Sequence, residues 1–137
     1  MSFSVMLQQL AGGMLVSIEI FFVTLLFSLP LGLLICFGRM SRNKVIRTIV
    51  SGYISIMRGT PLMLQLFFFY FFFPLVLKIK ISVFVTVILT FVLNYAAYLA
   101  EISRGGINSV DKGQHEAAFA LGLTKKQTML DIILPQT

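Results

Sequence analysis

Tryptophan is absent, cysteine occurs once, and five acidic residues face eleven basic ones, so charge makes up only 12% of a 137-residue chain. Each shortage excludes something. The single Cys36 forms no intramolecular disulfide and says little about redox compartment; it reads as a small apolar filler. There is no GxxxxGK[ST] phosphate loop, no His or Cys pair at metal-binding spacing and no Ser-His-Asp set. The only histidine, His115, stands beside Glu116 and reads as a surface residue. No enzymatic activity, metal or cofactor is therefore expected, and any work the chain does must be driven from outside.

What fills the space left by charge is apolar. Hydrophobic residues make up 58% of the chain, 14 of them phenylalanine, and the mean hydropathy is +0.94. That exceeds what a soluble domain of this length buries, so the expected solvent is the lipid bilayer. A nucleic-acid partner is excluded, because no soluble domain presents the basic excess. The longest uncharged windows run from Ile20 to Gly38, Gly59 to Leu77 and Ile81 to Ala100. Each is close to the roughly 20 residues that cross a hydrocarbon core at about 1.5 Å per residue. An all-α polytopic membrane protein with three transmembrane helices is predicted, over about 14–37, 49–76 and 81–104. The first is not a cleavable signal peptide, since residues 1–18 hold no Lys or Arg and the apolar stretch is too long.

Charge sets the orientation. Arg39, Arg42, Lys44 and Arg47 crowd the link after the first helix, which the positive-inside rule places in the cytoplasm. The N-terminus is then outside, Lys78 and Lys80 sit in a short outer turn, and residues 105–137 are cytoplasmic. Arg104, Lys112, Lys125 and Lys126 agree with that direction. Glu19 falls near the outer end of the first helix, where the macrodipole favours an acid, and Pro30 is tolerated within it by neighbouring helices.

The second helix holds a conflict: its apolar pattern begins at about Ile49, yet Arg58 follows within nine residues and Gly59-Thr60-Pro61 come next. Either the helix starts late or it carries a buried arginine. On the third, Asn94, Tyr98, Glu101 and Gly105 recur at spacings of four, three and four and share one face. In lipid that face must turn inward, as helix packing or as a translocation path. Arg58 and Glu101 should lie at similar depth, so they are expected to form a buried ion pair, with Arg104 one turn from Glu101 as a competitor. Gly105, Gly106 and Gly113 are expected to punctuate a loop, followed by a short helix over about 114–121 that ends at Gly122.

The chain ends on Glu116-Ala117-Ala118, three residues, Gly122, nine residues, Ile132, one residue, Leu134-Pro135. This pattern resembles the EAA loop of the membrane (permease) subunits of bacterial binding-protein-dependent ABC importers. "RGTPLMLQLFFFYF" (58–71) and "AAYLAEISRGGINSVDKGQHEAAFALG" (96–122) resemble the polar amino acid permease branch of that family. The resemblance implies a single, partial transmembrane domain over 1–137 in the bacterial inner membrane. It implies that Glu116, Ala117, Ala118, Leu121 and Gly122 couple to an ABC ATPase subunit, the small residues allowing close approach. A second permease subunit, the same chain or a related one, and an extracellular amino-acid-binding protein are the other implied partners. Family members carry two further membrane helices after the loop, so the chain is expected to be truncated or a fragment. The leading function is a permease subunit moving a polar amino acid. The alternative is a non-transporting remnant or interaction module that docks the ATPase without forming a path.

Overall fold

The computed structural model describes residues 2–137, and their regular structure is helical throughout. Helix α1 runs Phe3–Arg39 without a break at Pro30, and so begins well before the expected start near residue 14. Its first turns carry Phe3, Val5, Met6, Leu7 and Leu10 as exposed apolar side chains, which a hydropathy window dilutes with the neighbouring Ser, Gln and Gly. Helix α4 runs Val83–Ser109, capped by the Ser82 hydroxyl on the Val85 N–H. It carries Gly105 and Gly106 inside the helix rather than in a loop. α1 and α4 are each long and apolar enough to cross a membrane.

Between them the expected single helix over 49–76 is two. Helix α2 spans Lys44–Gly59 with Asn43 as its N-cap; helix α3 spans Leu62–Leu75; the pair is bent by 110°. The cause is local. Pro61 lacks an N–H and forces the preceding residue out of the helical region, and Thr60 is extended at φ −115°, ψ 145°. Counted as one broken span, the pair brings the membrane-crossing elements to three.

α1 and α4 lie side by side in the same sense, Gly32 beside Ala96 and Arg39 beside Glu101. The contact is built from small residues at four-residue spacing. Thr24, Ser28, Gly32 and Cys36 on α1 are buried, as are Ala96, Ala97 and Ala100 on α4. Lipid tails are as apolar as leucine, so helices in a bilayer gain little from hydrophobic burial and gain instead from close backbone approach. α2 closes the end of the bundle at which α1 terminates, where Ile54 is buried with Cys36, Ala97 and Ala100 and Val50, Tyr53 and Met57 pack around them. The Tyr53 hydroxyl donates to the Leu93 carbonyl and fastens α2 to α4.

Beyond Ser109 the chain turns into helix α5, Lys112–Ala120, whose N-cap is Asp111, accepting from the Gly113 N–H at 2.7 Å. Helix α6, Lys125–Gln127, opens with a Thr124/Gln127 capping box and runs on as a π-helical turn, Thr128–Ile133, and a 3-10 turn, Leu134–Gln136. Ile133, fully buried, joins this tail to the Cys36, Ile54 and Ala100 cluster at that same end of the bundle.

Candidate functional site: a polar helix face and a protruding short helix

The face predicted on α4 is real as a row, and its members behave differently. Asn94 is 4% exposed and both of its amide hydrogens are engaged: Nδ2 donates to the Met57 carbonyl at 3.1 Å and to Gln65 Oε1 at 3.0 Å. Its geometry here is that of helix packing. Tyr98 is 39% exposed, and the Arg58 guanidinium carbon lies 5.3 Å from its ring centroid, within cation–π range. Glu101 is half-buried at the end of the row.

The expected buried ion pair between Arg58 and Glu101 does not form. Glu101 Oε2 meets Arg104 Nη2 at 2.7 Å, one turn along the same helix, and Oε1 faces Arg39 Nε on α1 at 3.8 Å. Arg58 itself is exposed. Breaking the helix after Gly59 places Arg58 in the last turn of α2, where the helix macrodipole favours a cation. Arg58 and Glu101 nevertheless share the walls of a small polar cleft, about 160 Å³, with Arg39, Ser51 and Ser55. Arg39 as the second partner of Glu101 has a sequence signal only in hindsight: it is the last residue of α1, and Glu101 lies towards the C-terminal end of the parallel α4.

The EAA segment folds as α5, which is two residues longer at its start than the expected 114–121, because Asp111 caps it. Glu116 and Ala117 are exposed, whereas Ala118 is 3% exposed and turned into the chain's own interior. Leu121 is the C-cap, and Gly122 follows in the left-handed region at φ 76° with open space around it. The Leu123 N–H donates to the Ala118 carbonyl, which completes the helix end. Two large apolar side chains stand out from this helix, Phe119 at 85% and Leu121 at 79% exposure. Beside them His115, Phe119, Leu123, Lys125, Thr128 and Met129 enclose a cleft of about 330 Å³. Phe119 carried no sequence signal beyond falling inside the motif. Among the described residues no three His, Cys, Asp or Glu side chains converge as a metal site.

Residues 8–137 match the family described as binding-protein-dependent transport system inner membrane component. A glutamine transport system permease protein, GlnP, of Rickettsia prowazekii is 44% identical over 124 residues, which is 90% of this chain and 57% of the relative. The L-cystine transport system permease protein TcyB of Bacillus subtilis is 38% identical over 127 residues, 93% of this chain and 54% of that protein. Among solved structures, the crystal structure of an amino acid ABC transporter with histidines superposes with a TM-score of 0.83 at 34% identity, covering 99% of this chain and 64% of that one. The chain thus spans a little over half the length of the relatives it matches. Permease subunits of ABC importers are the non-catalytic membrane components of such systems, and the all-helical fold with its apolar spans is theirs. With the matched family model spanning all but the first seven residues, the chain belongs to the inner-membrane components of binding-protein-dependent transport systems.

Proposed function

We propose that the chain acts as the permease part of an importer that passes a polar amino acid across the inner membrane. An extracellular binding protein delivers the solute, a second permease chain completes the path, and an ABC ATPase drives it. The N-terminus lies outside and residues 105–137 lie in the cytoplasm, in keeping with the basic link of Arg39, Arg42, Lys44 and Arg47. Three relatives are named for glutamine, cystine and arginine transport. These solutes share an α-ammonium and an α-carboxylate, so the substrate class proposed is the polar amino acid rather than one member of it.

One observation supports the coupling role most directly: α5 offers Phe119 and Leu121 almost fully exposed, outside the apolar spans. Exposed side chains of this size on a short capped helix suit insertion into a groove on a partner. Glu116 and Ala117 flank them at the rim, Ala118 anchors the helix from beneath, and Gly122 sets the angle at which α5 leaves. The test is Gly122→Val in proteoliposomes carrying the assembled transporter. Nothing lies within 4 Å of a Cβ built there, so the substitution acts through the φ of 76° alone. A β-branched residue in that conformation costs on the order of 1–3 kcal/mol. Uptake per ATP hydrolysed should fall while the chain stays in the membrane; unchanged coupling would remove α5 from the ATPase contact.

A further inference from the structure

Gln65 has no charge, yet it is 8% exposed and lies just past the place where the second apolar stretch turns by 110°. Pro61 cannot donate the hydrogen bond that the Met57 carbonyl would receive in a continuous helix. Two side-chain amides supply it. Gln65 Nε2 donates to Met57 O at 3.0 Å, and Asn94 Nδ2 donates to the same oxygen at 3.1 Å. Gln65 Nε2 also reaches Thr60 Oγ1 at 2.7 Å and Thr60 O at 3.2 Å, across the extended residues of the bend. Gln65 Oε1 in turn accepts from Asn94 Nδ2 at 3.0 Å, tying α3 to α4.

We propose that Gln65 is a positioning residue: acting through Met57, Thr60 and Asn94, it holds the α2–α3 bend at the angle that sets Arg58 over Tyr98. The amide hydrogens of Gln65 point at the Met57 and Thr60 carbonyls and the Thr60 hydroxyl, and those of Asn94 at the Met57 carbonyl and Gln65 Oε1, so neither side chain has a hydrogen left to donate to a passing solute. A carbonyl freed by proline inside a low-dielectric bundle needs donors, and the two buried amides meet that need in this arrangement.

The experiment uses the assembled transporter in lipid nanodiscs, with spin labels at Val45 on α2 and Phe68 on α3, both exposed, in a Cys36→Ala background. Gln65→Met keeps the length of the side chain and cannot donate. The label distance distribution should shift or broaden relative to the parent. Uptake turnover per assembled transporter should fall roughly tenfold while KM stays within about twofold, because the lost bonds act on geometry and not on solute contact. Asn94→Leu should produce the same shift, and the double variant should be no worse than either alone. Only the kinetic arm rests on the transport reading; the distance arm stands without it. An unchanged distribution in whichever of the two variants assembles overturns the proposal, whatever uptake does. A raised KM with unchanged distances would make Gln65 a solute contact and overturn it equally.

Discussion

Gly32 is the position at which the α1–α4 packing can be put to a quantitative test. A Cβ added there meets Leu99 Cβ at 2.8 Å, the Ala96 carbonyl oxygen at 3.2 Å and the Ala100 nitrogen at 3.4 Å. Carbon atoms in contact prefer roughly 3.5–4.0 Å, so the helices must part by on the order of 1 Å or α4 must bend. None of the three atoms is the mobile end of a flexible side chain, so the strain has no cheap outlet. Gly32→Ala should cost about 1–3 kcal/mol through overpacking, set against a gain of about 0.5–1 kcal/mol from replacing glycine inside a helix. Gly52→Ala on α2 supplies the control: a Cβ there has nothing within 4 Å. Both variants share the helix-propensity gain, so the difference between their unfolding free energies in detergent reports the clash alone. It should fall near the 1–3 kcal/mol of overpacking. If the two variants agree within about 0.5 kcal/mol, the inter-helix approach at Gly32 is not as close as described and the small-residue account of the α1–α4 contact fails.

Two more outcomes follow from the polar groups. A double-mutant cycle of Glu101→Gln with Arg104→Gln should show coupling of about 0.5 kcal/mol, typical of a part-exposed pair one turn apart, whereas Glu101→Gln with Arg58→Gln should couple near zero; the reverse order would restore the inter-helix pair. The Thr24 and Ser28 hydroxyls are buried without a hydrogen-bond partner among the described residues. Thr24→Val and Ser28→Ala should therefore leave the stability of this chain in micelles unchanged or raise it by about 1 kcal/mol; a loss of that size would mean each hydroxyl has a partner.

The apolar windows, the α4 face and the EAA segment were legible because each is carried by residue type at a fixed spacing. α4 shows where spacing stops being informative. Asn94, Tyr98 and Glu101 share a face as periodicity requires, but periodicity does not say which neighbour each meets. Glu101 found Arg104 and Arg39, and Tyr98 found Arg58. Helix ends were missed for a different reason. Asp111 is an N-cap signal that pushes α5 back to Lys112, and Gly105-Gly106 looked like loop although α4 continues through both to Ser109. Glycine costs a helix only about 1 kcal/mol, which packing outweighs; a Cβ at Gly106 would meet Thr137 at 3.2 Å, so the tail sits against that surface.

The second apolar stretch was the hardest to read because it poses three difficulties that only tertiary structure resolves together. A continuous helix over 49–76 would hold Arg58 in lipid, bear Pro61 in its interior at a cost of about 3 kcal/mol, and leave the Met57 carbonyl without a donor. A break between Gly59 and Leu62 removes the first two. Arg58 becomes a C-terminal cation facing a polar cleft, and Pro61 stands just ahead of α3, where a missing N–H does no harm. The third difficulty remains, and the sequence already contains its remedy four residues past the proline. Gln65 reaches back over one turn to the carbonyl that Pro61 abandoned. In this span the proline and the amide at i+4 go with a bend held by side-chain hydrogen bonds. The remaining requirement is a second donor on a neighbouring element, and Asn94 meets it from α4.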